Sequence, residues 1–336
     1  MLKFNEKEYR TSADLIRSAR KKAEEVADEV CRDGFSNIFF TAVGGSFSPM
    51  MSIYESSKQL TTLPIYCEQA AELLARGHKC LNQDSLVITL SKSGDTKETV
   101  EIAKKLNAEN IRVICCTKNL SSPLANHCKY VVPMQHENGV EYEYIVLYWV
   151  FFRILYNKGQ FDDYESFADS LSALPENLLK IKAQFEPKAE EIAKEHYNAP
   201  IQYWIGSAEM WSEVYLFSMC ILEEMQWIKT KSVTSAEFFH GTLELIEKDT
   251  SVFLVKSEGK CRVLDERVER FVSKYSDKLV VIDTAEYALD GVDSKFRWLI
   301  APLMVSTCLV DRLAFHFEKY TKHDLDFRRY YRQFEY

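Results

Sequence analysis

Short, almost wholly apolar runs alternate along the chain with longer stretches in which apolar residues recur at helical spacing. In the first half, three such runs cover Ile38–Val43, Ser85–Leu90 and Ile111–Thr117. A strand that is apolar at nearly every position is buried on both faces, which is typical of a parallel sheet covered by helices. The pattern therefore predicts an α/β fold, with helices over Pro49–Lys58 and Thr96–Leu106 after the first two strands.

The second half of the chain repeats this order. Residues 201–205 lead into Gly-Ser, much as the first strand leads into Gly-Gly-Ser, and runs at 251–259 and 278–284 echo the second and third strands. The offsets between matching positions are nearly equal, which predicts an internal duplication. The alternative is that any two α/β modules look alike at this level of detail.

These patterns predict five segments. They are an N-terminal helical segment (1–30), a first module (31–160), a helical connector (161–198), a second module (199–321) and a C-terminal tail (322–336). The connector is polar with helical spacing, whereas the tail is rich in arginine and aromatic residues. An aromatic tail is expected to dock on the folded protein.

Composition narrows the class of protein. The chain has 336 residues, 46% of them apolar and 27% charged, with a formal net charge of −8, which is typical of a folded soluble protein and argues against a nucleic-acid binder. No targeting signal is evident, and the longest apolar run, Ile145–Tyr156, is too short to span a bilayer, so we expect a buried helix and no membrane association. Nine scattered cysteines without zinc-ligand spacing predict reduced thiols, a cytoplasmic location and no bound metal.

A hydroxyl-rich loop follows the second strand and opens the next helix. It contains the hydroxyls of Ser91, Ser93 and Thr96, together with Lys92 and with Gly94, which allows close backbone approach. The N-terminus of a helix favours an anion, so the loop predicts a phosphate site. Helix capping would explain one hydroxyl but not three. Because the Walker pattern is absent, a small phosphorylated metabolite is expected rather than ATP.

A second loop, with Gly45 and Ser46, follows the first strand. Ligands of open α/β sheets bind outside the carboxyl ends of the strands, so the two loops are expected to face one ligand. Glycine and serine are also common in ordinary turns, which makes this signal weak by itself.

The second half carries candidate catalytic groups. Glu223 and Glu224 interrupt an apolar helical run, where a carboxylate is costly unless it is paired or functional. Helical periodicity does not choose between the two. His240 precedes a glycine at an expected turn, where capping or packing in the core is the more common reason for a lone histidine.

Together these motifs resemble the sugar isomerase (SIS) family, in particular the isomerase half of glucosamine-6-phosphate synthase. Shared features are two modules, a Ser-x-Ser-Gly-x-Thr loop, and a glutamate followed sixteen residues later by His-Gly, here Glu224 and His240. The resemblance implies two tandem SIS domains, each a parallel β-sheet flanked by helices in three layers. It also implies that Glu224 is a general base and His240 a general acid. The residues implied to hold phosphate are Gly45, Ser46, Ser91, Lys92, Ser93, Gly94 and Thr96.

Differences between this sequence and the synthase pattern indicate a particular subgroup of the SIS family. Leu2 stands where the synthase has cysteine, so glutamine is not the expected ammonia source, and two synthase lysines are absent, one of them replaced by Ile221. The loop at 256–259 lacks the hydroxyl cluster, so only the first module is expected to hold phosphate. A chain of this kind looks like the fructosamine-6-phosphate deglycases, which act on sugar amines such as fructoselysine 6-phosphate, 6-phosphofructose-aspartate or glucoselysine 6-phosphate.

The resemblance implies a cofactor-free enzyme that assembles as a homodimer or larger homo-oligomer and releases a hexose 6-phosphate and a free amino acid. Two other functions stay open at this stage. An aldose–ketose phosphosugar isomerase shares the proton-transfer step but not the hydrolysis. A non-catalytic phosphosugar sensor would have no need of Glu224.

Overall fold

The computed structural model describes residues 1–137 and 139–334. The chain forms two compact units. The N-terminal unit comprises Asn5–Pro175, and the C-terminal unit comprises Met1–Phe4 together with the chain from Glu176 onward. Each unit is built around its own parallel β-sheet.

Within the described part of the N-terminal unit, five parallel strands form the sheet. They are β1 (Asn37–Ala42), β2 (Ile65–Gln69), β3 (Ser85–Leu90), β4 (Arg112–Thr117) and β5 (Tyr130–Pro133). Their order across the sheet is β2-β1-β3-β4-β5. Every residue of β1 and β3 is buried, as expected of central strands that are covered on both faces.

Helices cover both faces of this sheet. They are α1 (Glu6–Asp33), α2 (Ser48–Ser57), α3 (Ala70–Arg76), α4 (Lys97–Ala108) and α5 (Glu141–Asn157), followed by α6 (Tyr164–His196), within which the division between the units falls. Phe39 packs in a cluster with Ile102 of α4, whereas the ring of Phe40 lies 5.5 Å from the ring of Phe151 of α5. Because successive strand side chains point to opposite faces, these contacts define three layers.

The predicted buried apolar helix is confirmed. Almost every side chain of α5 is buried, and α1 packs along it through an amphipathic face. The hydroxyl of Tyr142 on α5 donates a hydrogen bond of 2.8 Å to the backbone oxygen of Tyr9 on α1. The N-terminal helix therefore belongs to the core of its unit.

Four parallel strands form the second sheet, counted within the described residues of the C-terminal unit. They are β6 (Gln202–Gly206), β7 (Thr230–Thr234), β8 (Ser251–Lys256) and β9 (Leu279–Asp283), in the order β7-β6-β8-β9. Further helices are α7 (Trp211–Tyr215), α8 (Glu224–Gln226), α9 (Arg262–Tyr275), α10 (Arg297–Cys308) and α11 (Ala314–Thr321). Two π-helical stretches, Leu216–Glu223 and Leu309–Leu313, link α7 to α8 and α10 to α11.

The second sheet repeats the order of the first four strands of the first sheet. The predicted fold class, two parallel sheets flanked by helices, is thus confirmed. Trp204 of β6 lies 4.9 Å from Phe217 of the first π-helical stretch, measured between rings. The next residue, Ile205, packs on the opposite face in a cluster with Phe238 and Val268 of α9. Both faces of this sheet are therefore covered as well.

The helical stretch Ser294–Thr321 is long and apolar enough by composition to cross a membrane. Most of it is buried, and residues such as Ile300, Leu303 and Leu313 are fully enclosed. A core helix has the same length and composition, so this stretch is weak evidence for a membrane span.

All nine cysteines lie in the described part of the chain and are free thiols. Cys115, Cys116, Cys220 and Cys308 are buried, as their apolar surroundings predict. Burial raises the pKa of Cys116 well above its ordinary value and that of Cys220 to about 12. Because the thiolate is the nucleophile, these two cysteines are unsuited to covalent catalysis.

Candidate active site

The two predicted phosphate loops leave the same edge of the first sheet. β1 and β3 are adjacent and parallel, with Thr41 opposite Thr89, each one residue before its strand ends. The first loop folds as a 3₁₀ turn over Gly44–Phe47, which holds Gly45 and a half-buried Ser46. The second loop, Ser91–Thr96, follows β3 and leads into α4.

Hydroxyl groups of the Ser91–Thr96 loop form hydrogen bonds within the loop itself. The hydroxyl oxygens of Ser91 and Thr96 are 3.0 Å apart, and the Gly94 amide donates a hydrogen bond of 3.1 Å to Ser91 Oγ. Ser91 is buried, whereas Ser93 is exposed and Thr96 is half-buried. Thr96 stands at the N-cap position of α4, but its side chain makes no capping hydrogen bond. Ser91 therefore braces the loop, and phosphate binding by these hydroxyls stays a prediction.

Gly94 is packed against the segment that follows β4. A side chain here would start 2.2 Å from the hydroxyl of Ser122 and 2.9 Å from that of Thr117. The backbone oxygen of Gly94 accepts a hydrogen bond of 3.0 Å from the Leu124 amide. Sequence reasoning missed this support, although Thr117 ends a strand as Leu90 does and a Ser-Ser-Pro turn follows it.

Lys92 is half-buried and reaches the segment that precedes α5. Its ammonium group donates a hydrogen bond to the backbone oxygen of Glu137, and Lys118 pairs with the carboxylate of the same residue at 2.6 Å. The side chain of Lys92 is therefore held beside the segment that precedes α5. Neutralisation of a bound phosphate by Lys92 stays a prediction.

A buried acid lies near this lysine and was missed in the sequence. Glu143, in the first turn of α5, is buried, and its Oε1 lies 3.7 Å from Nε2 of the equally buried His136. Burial raises the pKa of Glu143 to about 7; the charge of Lys92 acts to lower it and Glu141 acts to raise it. The N-terminal unit thus has a carboxyl group that titrates near neutral pH beside the Ser91–Thr96 loop.

In the C-terminal unit, Glu224 follows the π-helical stretch Leu216–Glu223. π-Helical turns within helices are frequent at functional sites. Glu223 is exposed and the Glu224 side chain keeps 31% of its exposure.

Glu224 is paired with a residue of the C-terminal tail. Nε of Arg328 donates a hydrogen bond of 3.0 Å to Oε1 of Glu224. The tail is held in place by Trp227, whose ring centre lies 5.5 Å from that of Phe327 and 4.0 Å from the guanidinium of Arg329. A cavity of about 820 Å³ lies between Glu224 and these tail residues. The sequence predicted that the tail docks, but not that it meets the candidate base.

His240 does not meet Glu224 within the chain. It ends a 3₁₀ turn, Phe238–His240, is exposed, and is not among the residues that line the cavity at Glu224. Its neighbours Phe238 and Phe239 pack against Phe271 of α9. The helix that leads to Glu224 covers the opposite face of the sheet, the face of Trp204.

In the second sheet, the side chain of Asp265 is hydrogen-bonded to the loop that follows β8. Asp265, in the first turn of α9, accepts hydrogen bonds from the hydroxyls of Ser207 (2.9 Å) and Ser235 (2.6 Å) and from the Ser257 amide (2.8 Å). Burial raises the pKa of Asp265, and these hydrogen bonds oppose the shift. The side chain of Asp265 is thus held by three donors near the N-terminus of α9, and binding of phosphate by the first module alone stays a prediction.

Metal ligands are not grouped in the described residues. Across 1–137 and 139–334, no three His, Cys, Asp or Glu side chains lie where they could share an ion. The prediction of a reaction without a metal or organic cofactor stays a prediction.

A sequence profile of the SIS domain matches residues 36–155, which contain β1 to β5 and the Ser91–Thr96 loop. The fructosamine deglycase FrlB of Bacillus subtilis is 32% identical over 314 residues, which cover 89% of this chain and 92% of that protein. The chain therefore belongs to the SIS domain family.

Other relatives agree with this assignment. The fructoselysine 6-phosphate deglycase of Escherichia coli is 22% identical over 306 residues, 91% of this chain and 88% of that protein. A solved structure from Bacillus subtilis, described as a phosphosugar isomerase, matches with a TM-score of 0.88 at 28% identity, covering 95% of this chain and 99% of that chain. The resemblance to double-SIS fructosamine deglycases is thus confirmed.

Proposed function

We propose that this protein is a deglycase that cleaves a phosphorylated Amadori-type sugar amine, fructoselysine 6-phosphate or a close relative, to a hexose 6-phosphate and a free amino acid. The observation that carries the proposal is Glu224. It is a solvent-accessible carboxylate in the wall of a cavity, in a chain similar over about nine-tenths of its length to a fructosamine deglycase.

The proposed reaction begins with phosphate bound at the Ser91–Thr96 loop and at Gly45 and Ser46. Arg328 holds one oxygen of Glu224, which leaves the other oxygen to accept a proton from the carbon between the amine and the carbonyl. His240 donates a proton to the sugar oxygen, so a 1,2-enaminol forms. Reprotonation at the neighbouring carbon gives an imine, and water hydrolyses the imine to the aldehyde of the hexose 6-phosphate and the amine. A positioned acid or base contributes a factor of about 10²–10⁴ in rate.

The test is release of hexose 6-phosphate and lysine from fructoselysine 6-phosphate. Glu224→Gln is expected to lower kcat by about 10²–10⁴ because it removes the base, while binding of the sugar phosphate, measured by calorimetry, survives. Glu223→Gln, one residue away and exposed, is the matched comparison and should lose far less activity. An isomerase would convert a sugar phosphate without releasing an amine, and a sensor would bind without turnover; either outcome would reject the proposal.

A further inference from the structure

The cavity beside Glu224 is larger and more aromatic than a proton-transfer site requires. Its volume of about 820 Å³ lies within the range of small-molecule sites, about 300–1,000 Å³. Aromatic side chains from the end of α8 and from the tail form much of its wall, namely those of Trp227, which directly follows α8, and of Tyr330, Tyr331 and Phe334. Such a wall suits a ligand that carries an aliphatic segment.

Arg329 presents an available cation to this cavity. Its guanidinium lies 4.0 Å from the ring centre of Trp227, and the residue is exposed. No carboxylate within residues 1–137 and 139–334 forms an ion pair with Arg329, in contrast to Arg328, which Glu224 already engages. A guanidinium stacked on an aromatic ring keeps its N–H groups directed outward in its plane, where they match the two oxygens of a carboxylate.

The charges around the cavity also favour an anionic ligand group. Arg328 and Glu224 neutralise each other as an ion pair. Among the described residues that line the cavity, Lys229 and Arg329 then face one remaining carboxylate, that of Glu223, which accepts a hydrogen bond from the Thr230 hydroxyl. The remaining charges of the described lining residues are therefore positive on balance. In the proposed function the phosphate is bound at the Ser91–Thr96 loop, so these charges are left for another anionic group of the substrate.

We propose that this cavity binds the amine half of the substrate and that Arg329 recognises a carboxylate on it. The inference rests on the proposed deglycase function, which supplies an amine half next to Glu224. Among phosphorylated sugar amines, those with a carboxylate on the amine half are then preferred over those with a simple amine. Arg329 is a specificity-determining residue, whereas Glu224 carries the chemistry.

The experiment uses two pairs of fructosamine 6-phosphates in which only the carboxylate differs. The lysine and cadaverine adducts place it far from the reacting nitrogen, and the glycine and methylamine adducts place it next to that nitrogen. For the wild-type protein, kcat/KM is expected to favour the carboxylate partner of at least one pair by about 10–100-fold, chiefly through KM, which is the usual worth of a charge-assisted hydrogen bond. The pair that shows the preference indicates how far the recognised carboxylate lies from the reacting nitrogen.

Arg329→Gln is expected to bring this ratio close to one while kcat/KM of the partner without a carboxylate changes less than about threefold. Arg270→Gln, which removes the same charge from an exposed position of α9 outside the cavity, is the matched control and should keep the ratio. Two results would overturn the inference: a wild-type kcat/KM ratio near one in both pairs, or an equal loss of kcat/KM on both partners in Arg329→Gln. Neither result would contradict the deglycase function. Absence of hexose 6-phosphate release from all four adducts overturns both.

Discussion

Two separate features of the structure favour glycine at position 94. Its φ of +72° is a conformation that residues with a side chain rarely adopt, and a Cβ would lie 2.2 Å from the Ser122 hydroxyl. The sequence suggested close approach to a ligand as its role. The structure adds a close approach to the protein itself, so the residue links the Ser91–Thr96 loop to the segment behind it.

Gly94→Ala is expected to lower the free energy of unfolding by about 2–4 kcal/mol, because backbone strain and overpacking each cost about 1–3 kcal/mol. Gly159→Ala is the matched control: its φ is +67°, but nothing lies within 4 Å of the added carbon. Urea denaturation of both variants separates the strain, which they share, from the clash, which only Gly94→Ala has. Equal losses in the two variants would show that the contact with Ser122 contributes nothing.

At the scale of elements, the first turn of α5 carries a buried acid whose protonation is linked to folding. Glu143 has a pKa of about 7 because it is buried, although Lys92 acts to lower it. A carboxyl whose pKa is higher in the folded than in the unfolded chain binds a proton more tightly when folded. Its contribution to stability is therefore fully present below the unfolded pKa, near pH 4.5, and is lost as the pH rises through 7.

Glu143→Gln mimics the protonated acid at every pH. The unfolding free energy of the wild type minus that of the variant is expected to fall by about 3 kcal/mol between pH 4.5 and pH 8, from the pKa difference between about 4.5 and 7. Urea titrations at a series of pH values measure it. Glu101→Gln, which removes an exposed carboxylate from α4, controls for the loss of one charge. Parallel wild-type and Glu143→Gln curves would show that Glu143 does not titrate in this window.

For the whole molecule, the placement of Glu224 and His240 matters most. The helix leading to Glu224 packs on the Trp204 face of the second sheet, and the turn that carries His240 packs on the α9 face. Since the proposed reaction needs both groups at one substrate, we propose that the working enzyme is a homo-oligomer in which His240 comes from a neighbouring chain.

Mixing two inactive variants tests this arrangement. If Glu224 and His240 act from different chains, a random equal mixture of Glu224→Gln and His240→Ala protomers forms hybrid dimers with one intact site, and about a quarter of wild-type activity returns. The mixture is refolded together, and turnover is compared with that of each variant refolded alone. If both residues act from one chain, every active site in the mixture carries one of the two substitutions, and no activity returns.

The sequence predicted the strands whose burial shows as a continuous run of apolar residues. Runs such as Ile38–Val43 and Ser85–Leu90 are apolar throughout, because central strands bury both faces. β2, β5 and β7 were missed: they are edge strands with half-buried or polar positions, so no long continuous apolar run marks them. The hydroxyl loop before α4 was recognisable for the same local reason, since the residues that shape a helix N-terminus are neighbours in sequence.

The amino-acid sequence by itself determined the α/β class, the repeated order of strands and the candidate groups, because periodic burial and turn chemistry act over a few residues. Only the tertiary structure decided that Arg328 pairs with Glu224, that Asp265 accepts a hydrogen bond from Ser207, and that Glu143 is buried beside His136. Two of these three contacts join residues dozens of positions apart, and the third depends on how deeply α5 is packed. The free energies that select such contacts depend on packing and desolvation of the folded chain, which no local pattern records.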